Sequence, residues 1–191
     1  MIPPVYFSIL TSFNSMFNRS ILFIITVHLA FLFNIAIGQD CLTAHNYLRS
    51  LHGVGPLKYD ETLERFAMKR AEYMAQTDIF AHPKKLKYGE NLYWRSGNVP
   101  TCENAVLAWY NEISLYNYDF PRFSPKTGHF SQLVWRESKK IGCAAAESPK
   151  SGRIYIACNY YPPGNVRGRF EENVLYPDYV QDINQKKKRK K

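Results

Sequence analysis

The sequence runs to 191 residues, with 25 Lys and Arg against 16 Asp and Glu, a formal net charge of +9 and 15% aromatic residues. Residues 39–191, 153 in all, suffice for one domain with a substantial core and are too few for two of ordinary size. Arg19 supplies one positive charge and Lys186, Lys187, Lys188, Arg189, Lys190 and Lys191 supply six, which leaves only +2 for residues 39–185; this near-neutral body excludes a nucleic-acid-binding domain.

Residues 21–37 (ILFIITVHLAFLFNIAI) carry no charge, follow Arg19 and lead into Ala36-Ile37-Gly38. The pattern predicts a signal peptide over 1–38, cleaved after Gly38, and hence a secreted, extracellular protein. Initiation at Met16 gives the ordinary layout of a short basic segment before the apolar run. The competing reading is an uncleaved signal anchor, since these 17 residues approach the roughly 20 needed to span a bilayer. Four cysteines follow, at 41, 102, 143 and 158. An even count in an oxidising compartment predicts two bridges, with three pairings open. There is no CxxC pair and no histidine cluster at finger-like spacing, which argues against a structural zinc site. No Asn-x-Ser/Thr occurs beyond residue 38, so N-glycosylation is not expected.

A short helix is predicted over 42–51, closed by Gly53, Gly55 and Pro56. Asp60 is a natural cap for the next helix: Glu61 and Glu64 suit its positive end, and Leu63, Phe66, Ala67, Ala71 and Met74 recur at helical spacing. Residues 82–88, with Pro83 and three lysines, read as a loop, and 90–94 as a strand. Thr101 caps a third helix carrying Ala105, Val106, Ala108, Trp109 and Ile113, with Glu112 as the odd polar member. Residues 116–126 are irregular and aromatic; Gly128 then opens one or two helical turns. Segments 139–146 and 153–160 read as strands around a turn at 149–152, which makes neighbours of Cys143 and Cys158, a geometry compatible with a bridge. The pattern predicts an α+β domain over 39–180 and a basic, disordered tail over 181–191. That tail suits heparan-like anionic glycans or anionic membrane surfaces, or serves only to solubilise.

Gly128–Ser138 (GHFSQLVWRES) resembles the first signature of the CAP superfamily of cysteine-rich secretory proteins, antigen 5 and pathogenesis-related 1 proteins. Tyr155–Asn165 (YIACNYYPPGN) resembles its CNYxPxGN block and Gly89–Leu92 its GENL element, and the likeness extends from His45-Asn46 to Val166. It implies a three-layer α-β-α sandwich with a small antiparallel sheet, of a venom-allergen-like, single-domain kind. It also implies a central cleft holding His82, Glu90, Glu112 and His129. These four would either prop the cleft open as a hydrogen-bonded cluster or let His82 and His129 hold zinc or another divalent cation, with no cofactor required. Catalysis is not established for the family, so binding or structural use is preferred. The enzymatic alternative is a metal-dependent hydrolase with Glu90 or Glu112 as base.

Tyr116-x-Tyr118-xxxx-Phe123 is similar to the aromatic caveolin-binding pattern of sterol-exporting members, with Phe120 inside it. The resemblance therefore implies small lipids, sterols or fatty acids, as partners, in extracellular defence, host interaction or export. The plainer reading is that these rings pack a long loop onto the domain. A fatty-acid groove would lie between the helices at 60–76 and 102–114. The resemblance further implies a Cys143–Cys158 bridge, which leaves Cys41 with Cys102. Four cysteines stand where plant relatives usually have six, and Pro83 follows His82 where serine is frequent. The missing cysteine-rich module argues against the ion-channel-blocking branch. A third reading makes the domain a ligand for receptors or glycans, touched through Lys186–Lys191.

Overall fold

The computed structural model describes residues 21, 23–26, 38, 40–97 and 101–178. Met16, Gln39 at the expected cleavage junction and the basic tail lie outside these. The chain divides into two units, Met1–Ala36 and Ile37–Lys191. In the first, residues 23–26 are helical and exposed. Among the described residues no helix is long and apolar enough to cross a membrane.

The second unit begins with helix α1, residues 40–50, followed by β1 (Lys58–Tyr59), α2 (Glu61–Thr77), β2 (Gly89–Arg95) and α3 (Cys102–Tyr110). A 3-10 turn (Asn111–Leu115), α4 (Gly128–Val134), β3 (Lys140–Glu147) and β4 (Ile154–Tyr161) complete it. Asp60 caps α2 from an extended conformation, its Oδ1 accepting from Thr62 N at 2.9 Å and Leu63 N at 3.1 Å. Leu63, Ala67, Ala71 and Met74 are buried along the predicted stripe. Phe66, counted on that stripe, is instead 40% exposed and meets Tyr88 edge-on at 4.9 Å, because a ring one residue before Ala67 falls off the buried face. Thr101 and Asn104 form a capping box at α3. That helix ends at Tyr110, so Glu112 sits on the 3-10 turn rather than in the helix.

The sheet order is β1-β3-β4-β2. The three long strands are antiparallel, and β1 adds a two-residue parallel edge beside β3. Period-two alternation splits the sheet residues between two layers. Tyr155, Ala157, Ala144 and Leu92 pack with Ala67, Met74 and Ala75 of α2. Ile154, Ile156, Cys158, Tyr160 and Cys143 pack with Trp109, Phe130 and Leu48 on the opposite face. The result is a three-layer α-β-α sandwich. Gly142 lets α2 approach, since a Cβ there would run into the backbone of Leu63 and Glu64. α2 packs on one face of the sheet, and Ala105, Val106 and Trp109 of α3 pack on the other.

The bridges are Cys143–Cys158, directly opposed in register, and Cys41–Cys102, which ties α1 to the start of α3. All four sulfurs are buried and lie within 4.8 Å of one another.

Beside them His45 is fully buried, with Nδ1 2.6 Å from Cys41 O and Nε2 2.7 Å from the Tyr160 hydroxyl. A neutral ring satisfies both, donating to the carbonyl and accepting from the phenol. Burial lowers its pKa to about 4; the bond to Cys41 opposes the shift and Arg49 reinforces it. A base whose folded pKa is depressed contributes stability that is complete above its unfolded pKa and is lost as pH falls towards the folded one. Protonation of His45 is therefore expected to remove up to about 3 kcal/mol between pH 6.5 and 4. Urea midpoints should fall over that interval in the native chain and much less in His45→Gln. Equal slopes would place the acid sensitivity elsewhere.

Candidate functional site

One strand, one loop, one 3-10 turn and one short helix deliver the tetrad. Glu90 rides on β2, and the loop before it returns His82 so that Nδ1 lies 2.8 Å from Glu90 Oε1. His129 is the second residue of α4, and its Nδ1 lies 2.7 Å from Glu112 Oε1. Thr127 provides no side-chain cap for α4. Glu112 provides it from outside, Oε2 accepting from His129 N at 3.0 Å and Phe130 N at 3.1 Å. A carboxylate beside the two unpaired N–H groups and the positive end of a helix is favoured on both counts.

A cleft of about 560 Å³ takes His82, Glu90 and His129 into its wall, with Phe123, Gln132 and Asn165 among the other lining groups. Glu112 stands behind His129 and does not line it. The cleft is closed by bonds between the sequence signatures. Gln132 Oε1 accepts from Gly164 N at 2.8 Å, Asn165 Nδ2 donates to Gly128 O at 2.8 Å, and Asn91 Nδ2 donates to His129 O at 3.0 Å. A Cβ at Gly89 or Gly164 would collide with the Gln132 side chain. These positions carry shape rather than charge, which is why a search for titratable groups misses them.

A sequence model described as "CAP: Cysteine-rich secretory protein family" matches residues 42–160. The chain belongs to the CAP family. It is 41% identical over 144 residues to the human Golgi-associated plant pathogenesis-related protein 1, a match covering 73% of this chain and 92% of that one. It is 40% identical over 133 residues to pathogenesis-related protein 1C of Nicotiana tabacum, covering 69% and 78%. Among solved structures, that of NaASP2 with Zn2+ superposes with a TM-score of 0.59 at 26% identity, covering 74% of this chain and 85% of that one. None of these names is an enzyme's.

Within the CAP frame the two histidine–carboxylate pairs have a specific chemical meaning. A carboxylate can only accept, so each Nδ1 carries the proton, and a neutral ring presents Nε2 as a lone pair. The metal-ligand histidines of proteins are commonly held in this way by an outer carboxylate. Each Nε2 is therefore the atom that a divalent ion would take, while Glu90 and Glu112 fix the rings.

The aromatic loop separates into two kinds of ring. Tyr116 is 8% exposed and packs on Phe130 at 5.4 Å; Tyr118 stacks on Tyr176 at 4.1 Å. Phe120 and Phe123 are 68% and 54% exposed. Phe123 reaches the cleft, whereas Phe120 lines a smaller cavity of about 220 Å³ with Tyr116.

Proposed function

We propose that this CAP protein is exported and binds a small lipid, a sterol or a fatty acid, at the loop bearing Phe120 and Phe123, in a defence, host-interaction or export setting. The supporting observation is the division within that loop. Tyr116 and Tyr118 anchor it to the domain, so the outward rings of Phe120 and Phe123 are held on a fixed base instead of collapsing into the core. Two phenyl faces on a fixed base offer flat apolar area to a rigid hydrocarbon, at about 25 cal/mol per Å² removed from water.

The tetrad serves this reading as a structural and metal-holding element. Both carboxylates are committed to imidazole Nδ1 atoms, and Glu112 also to two backbone N–H groups, so neither is a spare base for hydrolysis. The double replacement Phe120→Ser, Phe123→Ser is expected to weaken binding of a radiolabelled sterol or fatty acid by about tenfold or more, with His129→Ala retaining it. Unchanged affinity in the double variant would remove the loop from the site. Tyr118→Ser is the wrong probe, because it would unseat the loop through Tyr176.

A further inference from the structure

A second cavity, of about 360 Å³, adjoins the cleft; Leu86, Lys87, Tyr88 and Glu90 line both, but neither tetrad histidine enters it. One face of α2 supplies Phe66, Lys69, Arg70 and Tyr73, at the three- and four-residue spacings that bring helical side chains together, and the loop before β2 supplies Lys85, Lys87 and Tyr88. The cations are arranged on the rings. Lys87 Nζ lies 5.3 Å from the Phe66 centroid and 5.1 Å from that of Tyr88, and the Arg70 guanidinium carbon lies 5.2 Å from that of Tyr73.

The cavity carries a local excess of positive charge in a domain that is nearly neutral. Its one carboxylate, Glu90, is already engaged by His82 at 2.8 Å and faces Arg70 Nε at 3.8 Å, too far for a hydrogen bond. Arg70 Nε is buried without a hydrogen-bond partner among the described residues. Among the same residues Lys69, Lys85 and Lys87 enter no ion pair.

We propose that this cavity binds an acidic sugar, a pyranose carrying sulfate or carboxylate groups as in a sulfated glycan chain. The C–H face of the ring would lie on Tyr73, Tyr88 and Phe66, and its anionic groups would meet the three lysines and Arg70. Aromatic walls distinguish such a site from one for a bare anion, which needs donors but no flat apolar surface. Its concave form suits a ligand ring rather than a planar charged surface. The assignment is independent of the lipid reading, and it places glycan contact on the domain instead of on the tail.

The test uses the full mature chain and a size-defined heparin tetrasaccharide. Lys69→Gln with Lys85→Gln is expected to weaken binding by about tenfold at low salt and by less at high salt. Tyr73→Ser should weaken it by a similar factor that changes little with salt. Replacing Lys186, Lys187, Lys188, Arg189, Lys190 and Lys191 together by Gln should leave it within about twofold. All three altered side chains in the cavity are exposed, so thermal unfolding should match the native chain and separate lost binding from lost fold. The proposal is overturned if the tail variant abolishes binding, or if the Lys69/Lys85 variant binds like the native chain. It is also overturned, in favour of a membrane headgroup, if phosphoinositide vesicles bind in a Lys69- and Lys85-dependent way and the tetrasaccharide does not compete.

Discussion

Arg49→Met is expected to lower stability by about 5 kcal/mol, enough to leave little folded protein when the whole stability of a domain is of the order of 5–15 kcal/mol. Arg49 is fully buried and, among the described residues, pairs with no carboxylate; its guanidinium makes five bonds to backbone carbonyls. Nη1 donates to Leu133 O at 2.9 Å and Trp135 O at 2.8 Å, Nη2 to Gly55 O at 2.8 Å and Ser138 O at 3.2 Å, and Nε to Gly55 O at 3.0 Å. Leu133 and Trp135 close α4, so the cation stands at the end of that helix where unpaired carbonyls and the negative pole of the dipole coincide. Burial lowers the guanidinium pKa to about 10, which leaves it charged at neutral pH. Methionine fills similar space but removes all five bonds, leaving Trp135 O with only the 3.2 Å bond from Ser138 N. Lysine keeps the charge without the planar fork, and Arg49→Lys should lose about half as much. Urea unfolding with an unchanged slope measures both. A native midpoint in Arg49→Met would show that the bonds contribute nothing net.

Glu112→Ala is expected to cost roughly 3–4 kcal/mol, because it removes three bonds to one carboxylate at once, two of them to the uncapped start of α4. Glu112→Gln separates the two roles of this residue. Its amide oxygen still accepts from the backbone of His129 or Phe130, so stability should fall by only about 1–2 kcal/mol. The imidazole loses its ionised partner, and affinity for Zn2+ in calorimetric titration should drop by about 10- to 100-fold, as when other outer-sphere carboxylates are removed. His82→Ala should reduce zinc affinity without disturbing α4. Native zinc affinity in Glu112→Gln would mean that His129 is not a ligand.

Glu112 also marks where sequence reading stops. As a polar residue on an apolar stripe it was conspicuous, but the stripe could not show that α3 would tighten into a 3-10 turn and present the carboxylate to a helix that begins at Gly128. The elements themselves were legible: Asp60 and Thr101 announced their helices, and the alternation around Cys143 and Cys158 announced paired strands. The tetrad was not visible in its own spacing, since its members lie on four separate segments; only the resemblance of the GENL and GHFSQLVW motifs drew them together. Arg49 left no trace at all. Its partners are main-chain carbonyls more than 80 residues away, apart from Gly55, and no side-chain pattern records a carbonyl. In the aromatic loop, composition offered four equivalent rings; packing against Phe130 and Tyr176 decided which two point outward.

The two bridges lie against each other, with Cys158 Sγ 3.7 Å from Cys41 Sγ. In the finished fold each sulfur therefore has a wrong partner close at hand, and proximity alone gives weak protection against mispairing. Loop length, by contrast, favours one order of closure. Cys143 and Cys158 are 15 residues apart and Cys41 and Cys102 are 61 apart, two doublings of loop length, or about 1.2 kcal/mol of closure entropy. Hairpin formation brings the first pair into register before α1 and α3 need to meet, and once that pair is oxidised the remaining two cysteines have only each other. The short β3–β4 turn thus favours closure of the pair whose formation leaves the other two cysteines a single choice.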